Sequence, residues 1–188
     1  DEYSRFGTFD QLAENNREQL KGLIGEIAAS QHEQGSIAQK IGDLYNLAMN
    51  TEKLNADGMT PIQPELDKIN AISDKAGIIQ AMADLTGSAY FQFYVGADIM
   101  DSKNNIFQLH QGGIGLGEKE YYLDTDEATT NIREGYKAHI VKMFQLIGQD
   151  EKTATKNMEA VMEIETRLAK KAFSAVEQRN PAANYHML

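Results

Sequence analysis

Residues 111–124, QGGIGLGEKEYYLD, place four glycines close to Lys119, a composition that could bind phosphate through backbone amides. A dinucleotide-binding loop needs G-x-G-x-x-G between a strand and a helix, and a P-loop ends in G-K-[ST]. This stretch has neither pattern, and Lys119 lies between two glutamates whose carboxylates would repel a phosphate. The glycines therefore predict a tight backbone passage over residues 112–117, with positive φ at Gly115 or Gly117.

The stretch SQHEQGS, residues 30–36, matches the first half of an H-E-x-x-H zinc motif. In that motif two histidines one helical turn apart bind zinc, and the glutamate activates water. Ser36 stands where the second histidine is required, so His32 and Glu33 are interpreted as a solvated helix end. The remaining histidines have no partner at ligand spacing, and these are His110, His139 and His186. The sequence predicts no metal site in this chain.

Acid–base and nucleophilic chemistry find no better candidates. Neighbouring carboxylates could act as acid and base, but 28 acidic residues in 188 make chance pairs expected. Two such pairs are Asp98 with Asp101 and Glu163 with Glu165. The chain contains no G-x-S-x-G nucleophile elbow and no cysteine, which excludes disulfides and thiolate nucleophiles. No catalytic residue is therefore assigned to this chain.

Composition and charge exclude several other classes of function. The chain is 41% hydrophobic and 24% charged, which is typical of a soluble globular protein. Its formal net charge of -10 argues against nucleic acid or an anionic membrane as a partner. No stretch is apolar for long enough to cross a bilayer. Because the chain begins at Asp1 and shows no signal segment, we expect it to be part of something longer.

Apolar residues at helical spacing predict two helices at the start of the chain. The first covers residues 9–30, with Thr8 and Gln11 as a capping box. The second is capped by Ser36 and is predicted to end at the polar stretch NTEKLNADG, residues 50–58.

The rest of the chain predicts more helices and one region of different periodicity. Short helices are predicted to begin at Pro61 and Ser73. Aromatic and polar residues then alternate over about residues 90–111, which predicts a β-hairpin around the DSKNN turn. Two long helices follow, one ending at Gly148 and one capped by Asp150. The fold class is thus mainly α, a multi-helix domain with a β-hairpin, organised as one unit over residues 1–188.

Six stretches, taken in chain order, carry a resemblance to one enzyme family. They are YSRFGTFDQL at 3–12, KIGDLYNLAMN at 40–50, the region 58–66, the long stretch YVGADIMDSKNNIFQLHQGGIGLGEKEYYLD at 94–124, EIETRLA at 163–169 and RNPAANYHM at 179–187. Together they resemble the neprilysin and endothelin-converting-enzyme family of zinc metallopeptidases. Gly117 departs from the family, which usually has proline there, and His186 stands where asparagine is usual.

The resemblance implies that the chain is an N-terminal-side fragment of such an enzyme. Family members carry H-E-x-x-H, a further glutamate ligand and an N-A-[YF] segment in their C-terminal half, and none of these occurs here. Zinc is therefore expected in the parent enzyme and not on this chain, which alone is predicted to be inactive. In the family this region is mostly helical and faces the catalytic domain across a closed cavity that admits short peptides.

One binding role follows from the resemblance. The arginine of the family's S-R-[YF]-G segment corresponds to Arg5, and in the family it binds the free carboxylate of a peptide substrate. A guanidinium suits this role because its parallel N–H groups match a carboxylate. Asp10 corresponds to the aspartate of the F-D pair and is expected to orient Arg5. The alternative for Arg5 is a solvated cation beside a helix.

The function expected is the substrate-enclosing portion of a zinc metalloendopeptidase that hydrolyses short peptides. Its expected partners are those peptides and the C-terminal catalytic domain of the same polypeptide, with no nucleic acid and no membrane contact from this segment. The resemblance implies an extracytoplasmic enzyme, whether periplasmic, secreted or membrane-anchored. Eukaryotic members usually carry disulfides, so a cysteine-free chain favours a bacterial source. The alternative function is a non-enzymatic helical module for protein interaction.

Overall fold

The computed structural model describes residues 7–85 and 89–187. Contacts within the chain group it into two compact units, residues 1–64 and residues 65–188. Each unit is described by itself below, and the organisation of the chain as one helical unit stays a prediction.

The first unit is built on two paired helices, α1 (Thr8–Ala29) and α2 (Ile37–Ala48), followed by α3 (Thr51–Asp57). Gly42 of α2 is buried against α1, where an added Cβ would lie 3.4 Å from the Ala28 Cα. The Asn46 side chain then donates a hydrogen bond of 3.2 Å to the Ala28 carbonyl. The lack of a side chain on Gly42 thus permits a close helix–helix approach.

The helix ends in this unit confirm the predicted cap of α2 and the predicted end of that helix, and they correct the predicted cap of α1. Ser36 caps α2, since its hydroxyl accepts the Gln39 amide at 3.2 Å. The capping box of Thr8 and Gln11 is wrong, because Gly7 is the N-cap and donates its own amide to Asp10 at 2.8 Å. The polar stretch at residues 50–58 ends α2 but is itself largely helical. Its first residue, Asn50, caps α3, and good helix formers follow.

Short helical segments lie between α3 and the hairpin in the chain. They are a 3-10 turn at Thr60–Ile62, α4 (Gln63–Asn70) and α5 (Lys75–Asp84). The cap of α5 is Asp74, one residue beyond the predicted Ser73, because its carboxylate accepts the Gly77 amide at 2.7 Å.

The predicted hairpin is confirmed as two antiparallel strands, β1 (Phe91–Ala97) and β2 (Asn105–Gln111). The Gln111 side chain ties the end of the hairpin to the segment after the last long helix. Its amide nitrogen donates to the Phe173 carbonyl at 3.0 Å, and its oxygen accepts the Phe173 amide at 2.7 Å. This pair of hydrogen bonds fixes the end of the hairpin from which the glycine passage leaves.

The second unit is completed by a short helix and two long ones. These are α6 (Glu120–Leu123), α7 (Glu127–Leu146) and α8 (Glu151–Ala169), with a final short helix α9 (Pro181–Asn184). The predicted ends of the long helices are confirmed, since Gly148 has φ of +92° and Asp150 accepts the Thr153 amide at 3.0 Å. Helices with one hairpin make the fold mainly α, as predicted.

The core of the second unit lies where α6, α7 and α8 meet. Tyr122, Ile140, Met162 and Ala169 are all buried there, one or two from each helix. Partly buried residues of the glycine passage, including Leu116, pack against this cluster. The passage is therefore part of the core packing and not a loop projecting into solvent.

The glycines of the passage serve two different structural needs. Gly117 has φ of +85°, which confirms the predicted positive φ, and Gly113 has φ of +73°. Gly115 is required for space, because a Cβ there would overlap the hydroxyl of Tyr136. The passage therefore depends on glycine for conformation at positions 113 and 117 and for close packing at position 115.

We expect alanine at either of these glycines to destabilise the chain. Gly117→Ala should cost roughly 1–2 kcal/mol because an L-residue is strained at positive φ. Gly115→Ala should cost about 1–3 kcal/mol because the Tyr136 ring must move. The control is Gly135→Ala in α7, where no atom lies within 4 Å of the added Cβ. There alanine should stabilise the helix by roughly 0.5–1 kcal/mol. Urea unfolding of the three variants measures these changes, and equal midpoints for all three would contradict the assignment.

Candidate functional site

Of the predicted substrate-binding pair, Arg5 and Asp10, the structure describes Asp10. Arg5 lies outside the described residues, so its role stays a prediction. Asp10 sits in the first turn of α1, where one carboxylate oxygen accepts the Gly7 amide at 2.8 Å. A carboxylate can accept further hydrogen bonds on its second oxygen, so this contact is compatible with the predicted pairing of Asp10 and Arg5.

Residues 30–36, which match the first half of a zinc motif, directly follow the last residue of α1. The His32 Nε2 atom lies 2.8 Å from the carbonyl oxygen of Ile27, within hydrogen-bonding distance. Within residues 7–85 and 89–187, no three His, Asp or Glu side chains come together as a metal site. The described part of the chain therefore does not fit a catalytic zinc, which needs three protein ligands.

A polar cluster absent from the sequence predictions lies in the core of the second unit. The Glu165 carboxylate on α8 accepts the hydroxyl of Tyr122 at 2.6 Å and that of Tyr136 at 3.1 Å. The Tyr122 oxygen in turn accepts the amide of Leu116 at 2.9 Å. One carboxylate thus joins α6, α7, α8 and the glycine passage. We call these three side chains, Tyr122, Tyr136 and Glu165, the tyrosine–glutamate cluster.

The environment of the cluster makes both phenols weaker acids. Burial, followed by the hydrogen bond to Glu165, raises the pKa of Tyr122 well above its usual value. Burial and the negative charge of Glu165 raise the pKa of Tyr136 to about 12. A general acid or base works best with a pKa near the working pH, and these shifts go the opposite way. The cluster is therefore built for structure and not for proton transfer.

The sequence holds a signal that could have identified this cluster. Glu165 was interpreted as one of a chance pair with Glu163, but it lies on the apolar face of α8. Its neighbours on that face, at helical spacing, are Met158, Val161, Met162, Leu168 and Ala169. A glutamate on an apolar stripe must find hydrogen-bond donors when the helix packs. Tyrosines in the two preceding helices, α6 and α7, supply them.

Two cations near the glycine passage donate hydrogen bonds to backbone carbonyls. The Lys119 ammonium donates to the Ala172 carbonyl at 2.7 Å. The Arg133 guanidinium donates to the carbonyls of Tyr121 at 3.0 Å and Asp124 at 2.7 Å. The Arg133 hydrogen bonds satisfy carbonyls at the end of α6, where a helix leaves them unpaired, and the Lys119 hydrogen bond reaches the segment after α8. The role of Lys119 supports the structural interpretation of the passage over phosphate binding.

The C-terminal stretch contacts the hairpin through one tyrosine. The Tyr185 hydroxyl donates to the Asp98 carboxylate at 3.0 Å, and the other Asp98 oxygen accepts the Met100 amide at 2.8 Å. The hydrogen bond to Asp98 raises the pKa of Tyr185. Asp98 is only 9% exposed, so these hydrogen bonds satisfy a buried carboxylate. Stretches far apart in the sequence, 94–124 and 179–187, therefore meet here.

The family is shown by comparison with known proteins. The family model described as peptidase family M13 matches residues 1–188. This chain belongs to peptidase family M13. It is 29% identical to endothelin-converting enzyme 1 of Bos taurus over 99% of this chain and 26% of that protein. It is 28% identical to an endothelin-converting enzyme homolog of Locusta migratoria over 90% of this chain and 25% of that protein. The predicted family is therefore confirmed.

Solved structures of one zinc metalloprotease share the fold. The zinc metalloprotease Zmp1 of Mycobacterium tuberculosis, in an open state, matches with a TM-score of 0.81 and 28% identity over 99% of this chain and 29% of that chain. The same protease in complex with an inhibitor matches with a TM-score of 0.83 and 28% identity over 96% of this chain and 28% of that chain.

The M13 chain spans about a quarter of the length of the curated relatives that it matches. Among the residues that the structure describes, no helix is both long and apolar enough to span a bilayer. The comparisons thus establish the family and the fold of the chain.

We expect the chain 1–188 alone to retain no stoichiometric zinc, because the described side chains offer no set of three ligands. Metal analysis after dialysis against a weak chelator measures this. His32→Ala is the matched variant, since His32 belongs to the only H-E pair in the sequence. One tightly held zinc per chain, lost in His32→Ala, would contradict the prediction.

We expect the two phenols of the cluster to contribute unequally to stability. Tyr122→Phe should cost about 1–3 kcal/mol, because the Leu116 amide and the Glu165 carboxylate both lose a partner. Tyr136→Phe removes one longer hydrogen bond and should cost about 0.5–1.5 kcal/mol. Urea unfolding at neutral pH ranks the variants, and a larger loss for Tyr136→Phe would reverse the assignment.

The cluster should also make stability sensitive to alkaline pH. A phenol whose pKa is higher in the folded state holds its proton there after the unfolded chain has lost it. Stability is then complete below the ordinary pKa of 10.0 and falls as pH rises through the folded pKa of about 12 for Tyr136. The free energy of unfolding should fall less steeply above about pH 10 in Tyr136→Phe than in the parent chain. Identical slopes of the free energy of unfolding against pH in the two proteins would show that the pKa of Tyr136 is not raised.

Proposed function

We propose that this chain is the substrate-enclosing portion of an M13 zinc metalloendopeptidase that cleaves short peptides. The observation that carries the proposal is the match of the M13 family model over residues 1–188. The chemistry is assigned to residues beyond this chain, because no metal site is found among the described residues. In this proposal zinc, bound by the catalytic domain, activates water, and this chain binds and encloses the peptide.

The exposed surface supports a large partner for this chain. A compact monomer of 20.9 kDa is expected to expose about 9,000 Å². Two separate units of 64 and 124 residues would together expose roughly 11,000 Å². The chain exposes 14852 Å², which exceeds both values. Such an excess is the property expected of a chain that packs against further protein, and we assign that role to the C-terminal catalytic domain.

The exposed apolar side chains also support a large partner for this chain. On α1, Leu12, Leu20 and Leu23 are each more than half exposed, although they recur at helical spacing. An apolar helix stripe is stabilising only when another surface covers it. This observation also fits the alternative of a non-enzymatic interaction module, so the parent gene must separate the two. An H-E-x-x-H motif encoded beyond Leu188 supports the peptidase, and an unrelated domain supports the module.

In this proposal Arg5 anchors the substrate. Its guanidinium pairs with the free C-terminal carboxylate of a short peptide, and Asp10 orients it through the carboxylate oxygen that does not receive the Gly7 amide. The bond to be cleaved then lies near the C-terminus of the peptide and over the zinc. The same family membership supports an extracytoplasmic location, where such an enzyme meets peptides outside the cell.

We expect Arg5→Ala in the complete enzyme to slow cleavage of a short free-acid peptide strongly. A charge-assisted hydrogen bond is worth about 1.5–3 kcal/mol, which corresponds to roughly one to two decades in kcat/KM. The same peptide with an amidated C-terminus already lacks the partner and should lose little further. Arg5→Lys should recover only part of the loss, because lysine keeps the charge without the two-pronged geometry.

Specificity constants for the acid and the amide, measured with the parent and with Arg5→Ala, form a four-corner cycle. Asp10→Asn serves as the positioning variant and should weaken the preference for the acid less than Arg5→Ala does. Equal losses of Arg5→Ala on the two peptides would show that Arg5 does not bind the carboxylate.

A further inference from the structure

One face of the hairpin carries an uncovered row of apolar side chains. Successive residues of a strand point to opposite faces, and the register places Val95 opposite Phe107 and Phe93 opposite Leu109. The five apolar residues that share this face form what we call the hairpin strip: Phe91, Phe93, Val95, Phe107 and Leu109.

The strip is continuous and largely exposed. The ring centroids of Phe91 and Phe93 lie 6.3 Å apart, and those of Phe93 and Phe107 lie 5.9 Å apart. Val95 is 70% exposed, Phe107 62% and Phe93 39%. Phe93 and Phe107 together expose about as much surface as one whole phenylalanine side chain, roughly 200 Å². A contiguous patch of this kind marks an interaction surface more often than scattered apolar residues do.

The hairpin needs a cover that is permanent. A two-stranded sheet is marginally stable in water unless a further strand or a packed layer supports it. Hydrogen bonds hold the hairpin at its two ends, between Gln111 and Phe173 and between Tyr185 and Asp98. Between these ends the apolar side chains of the strip remain exposed, so we expect them to be stabilised by another surface. A substrate peptide that binds and leaves would not supply that support.

Charge argues against two other occupants. A second copy of the chain would bring the same formal net charge of -10, and the two copies would repel each other. An anionic membrane would repel the chain for the same reason, and the strip itself contains no Lys or Arg. An apolar surface on the same polypeptide can bind despite the negative charge of the chain, because the covalent linkage gives it a high effective concentration.

We propose that the hairpin strip docks permanently against an apolar surface of the catalytic domain of the same polypeptide. The inference rests on the proposed function, and it adds the surface through which the two parts of the enzyme are joined. The interface is centred on Val95 and Phe107, the most exposed members of the strip. The partner surface is aliphatic or aromatic, because a charged group would lose its hydration there without gaining a partner.

The absence of cysteine from the chain allows a direct test by thiol labelling. Val95→Cys places a thiol in the centre of the strip, and Ser102→Cys places a near-isosteric control thiol in the exposed hairpin turn. Labelling rates with a small maleimide are measured in chain 1–188 and in the complete enzyme. The rate of each protein without the introduced cysteine is subtracted.

In chain 1–188 the two thiols should react at similar rates. In the complete, active enzyme the thiol at position 95 should react at least about tenfold more slowly, while the thiol at position 102 keeps its rate. Phe107→Cys is the second strip variant, in case Val95→Cys folds poorly, and it should show the same protection.

The outcomes separate this inference from the proposed function. Active enzyme in which positions 95 and 107 react as fast as position 102 would overturn the docking of the strip and leave the peptidase proposal intact. A parent gene without a catalytic domain would overturn the proposed function itself. Protection that appears in chain 1–188 alone and increases with protein concentration would identify a second copy as the occupant, and so would overturn the inference.

Discussion

The packing of the second unit depends on one part-buried carboxylate that accepts hydrogen bonds from two other helices. Glu165 projects from the apolar face of α8, and the hydroxyls of Tyr122 and Tyr136 are its donors. A carboxylate that loses contact with water in such packing must gain hydrogen-bond donors in exchange. The requirement therefore fixes the approach of α6 and α7 to α8, and through the Leu116 amide it also fixes the glycine passage.

The same constraint explains why the glycines are where they are. With the Tyr136 hydroxyl directed at Glu165, the backbone at position 115 passes so close to the phenol that a side chain does not fit. The passage must also turn towards α6, which Gly117 permits through its positive φ. The glycines that suggest a nucleotide loop are thus required by packing and backbone conformation. Gly115 leaves room for the Tyr136 hydroxyl, and Gly113 and Gly117 adopt positive φ.

Contacts between distant stretches give a physical account of the family resemblance. EIETRLA supplies Glu165 to the tyrosine of the YYLD stretch, and the C-terminal NYHM stretch supplies Tyr185 to Asp98 near the hairpin turn. Motifs that are weak one by one are therefore parts of common hydrogen-bonded clusters. The M13 match over the whole chain joins them in one family, and the large exposed apolar area is consistent with a segment that shares its core with further protein.

The sequence by itself determined the helix caps at Ser36 and Asp150, the hairpin and the family, because these depend on residues close in the chain or on ordered motifs. It did not determine the role of Glu165, whose partners lie 43 and 29 residues away. It also misplaced the first cap, since whether Thr8 or Gly7 caps α1 depends on which amide reaches Asp10. Local hydrogen bonds and periodicity depend on neighbouring residues, whereas the hydrogen-bond partners of a part-buried carboxylate are decided only when distant elements pack together.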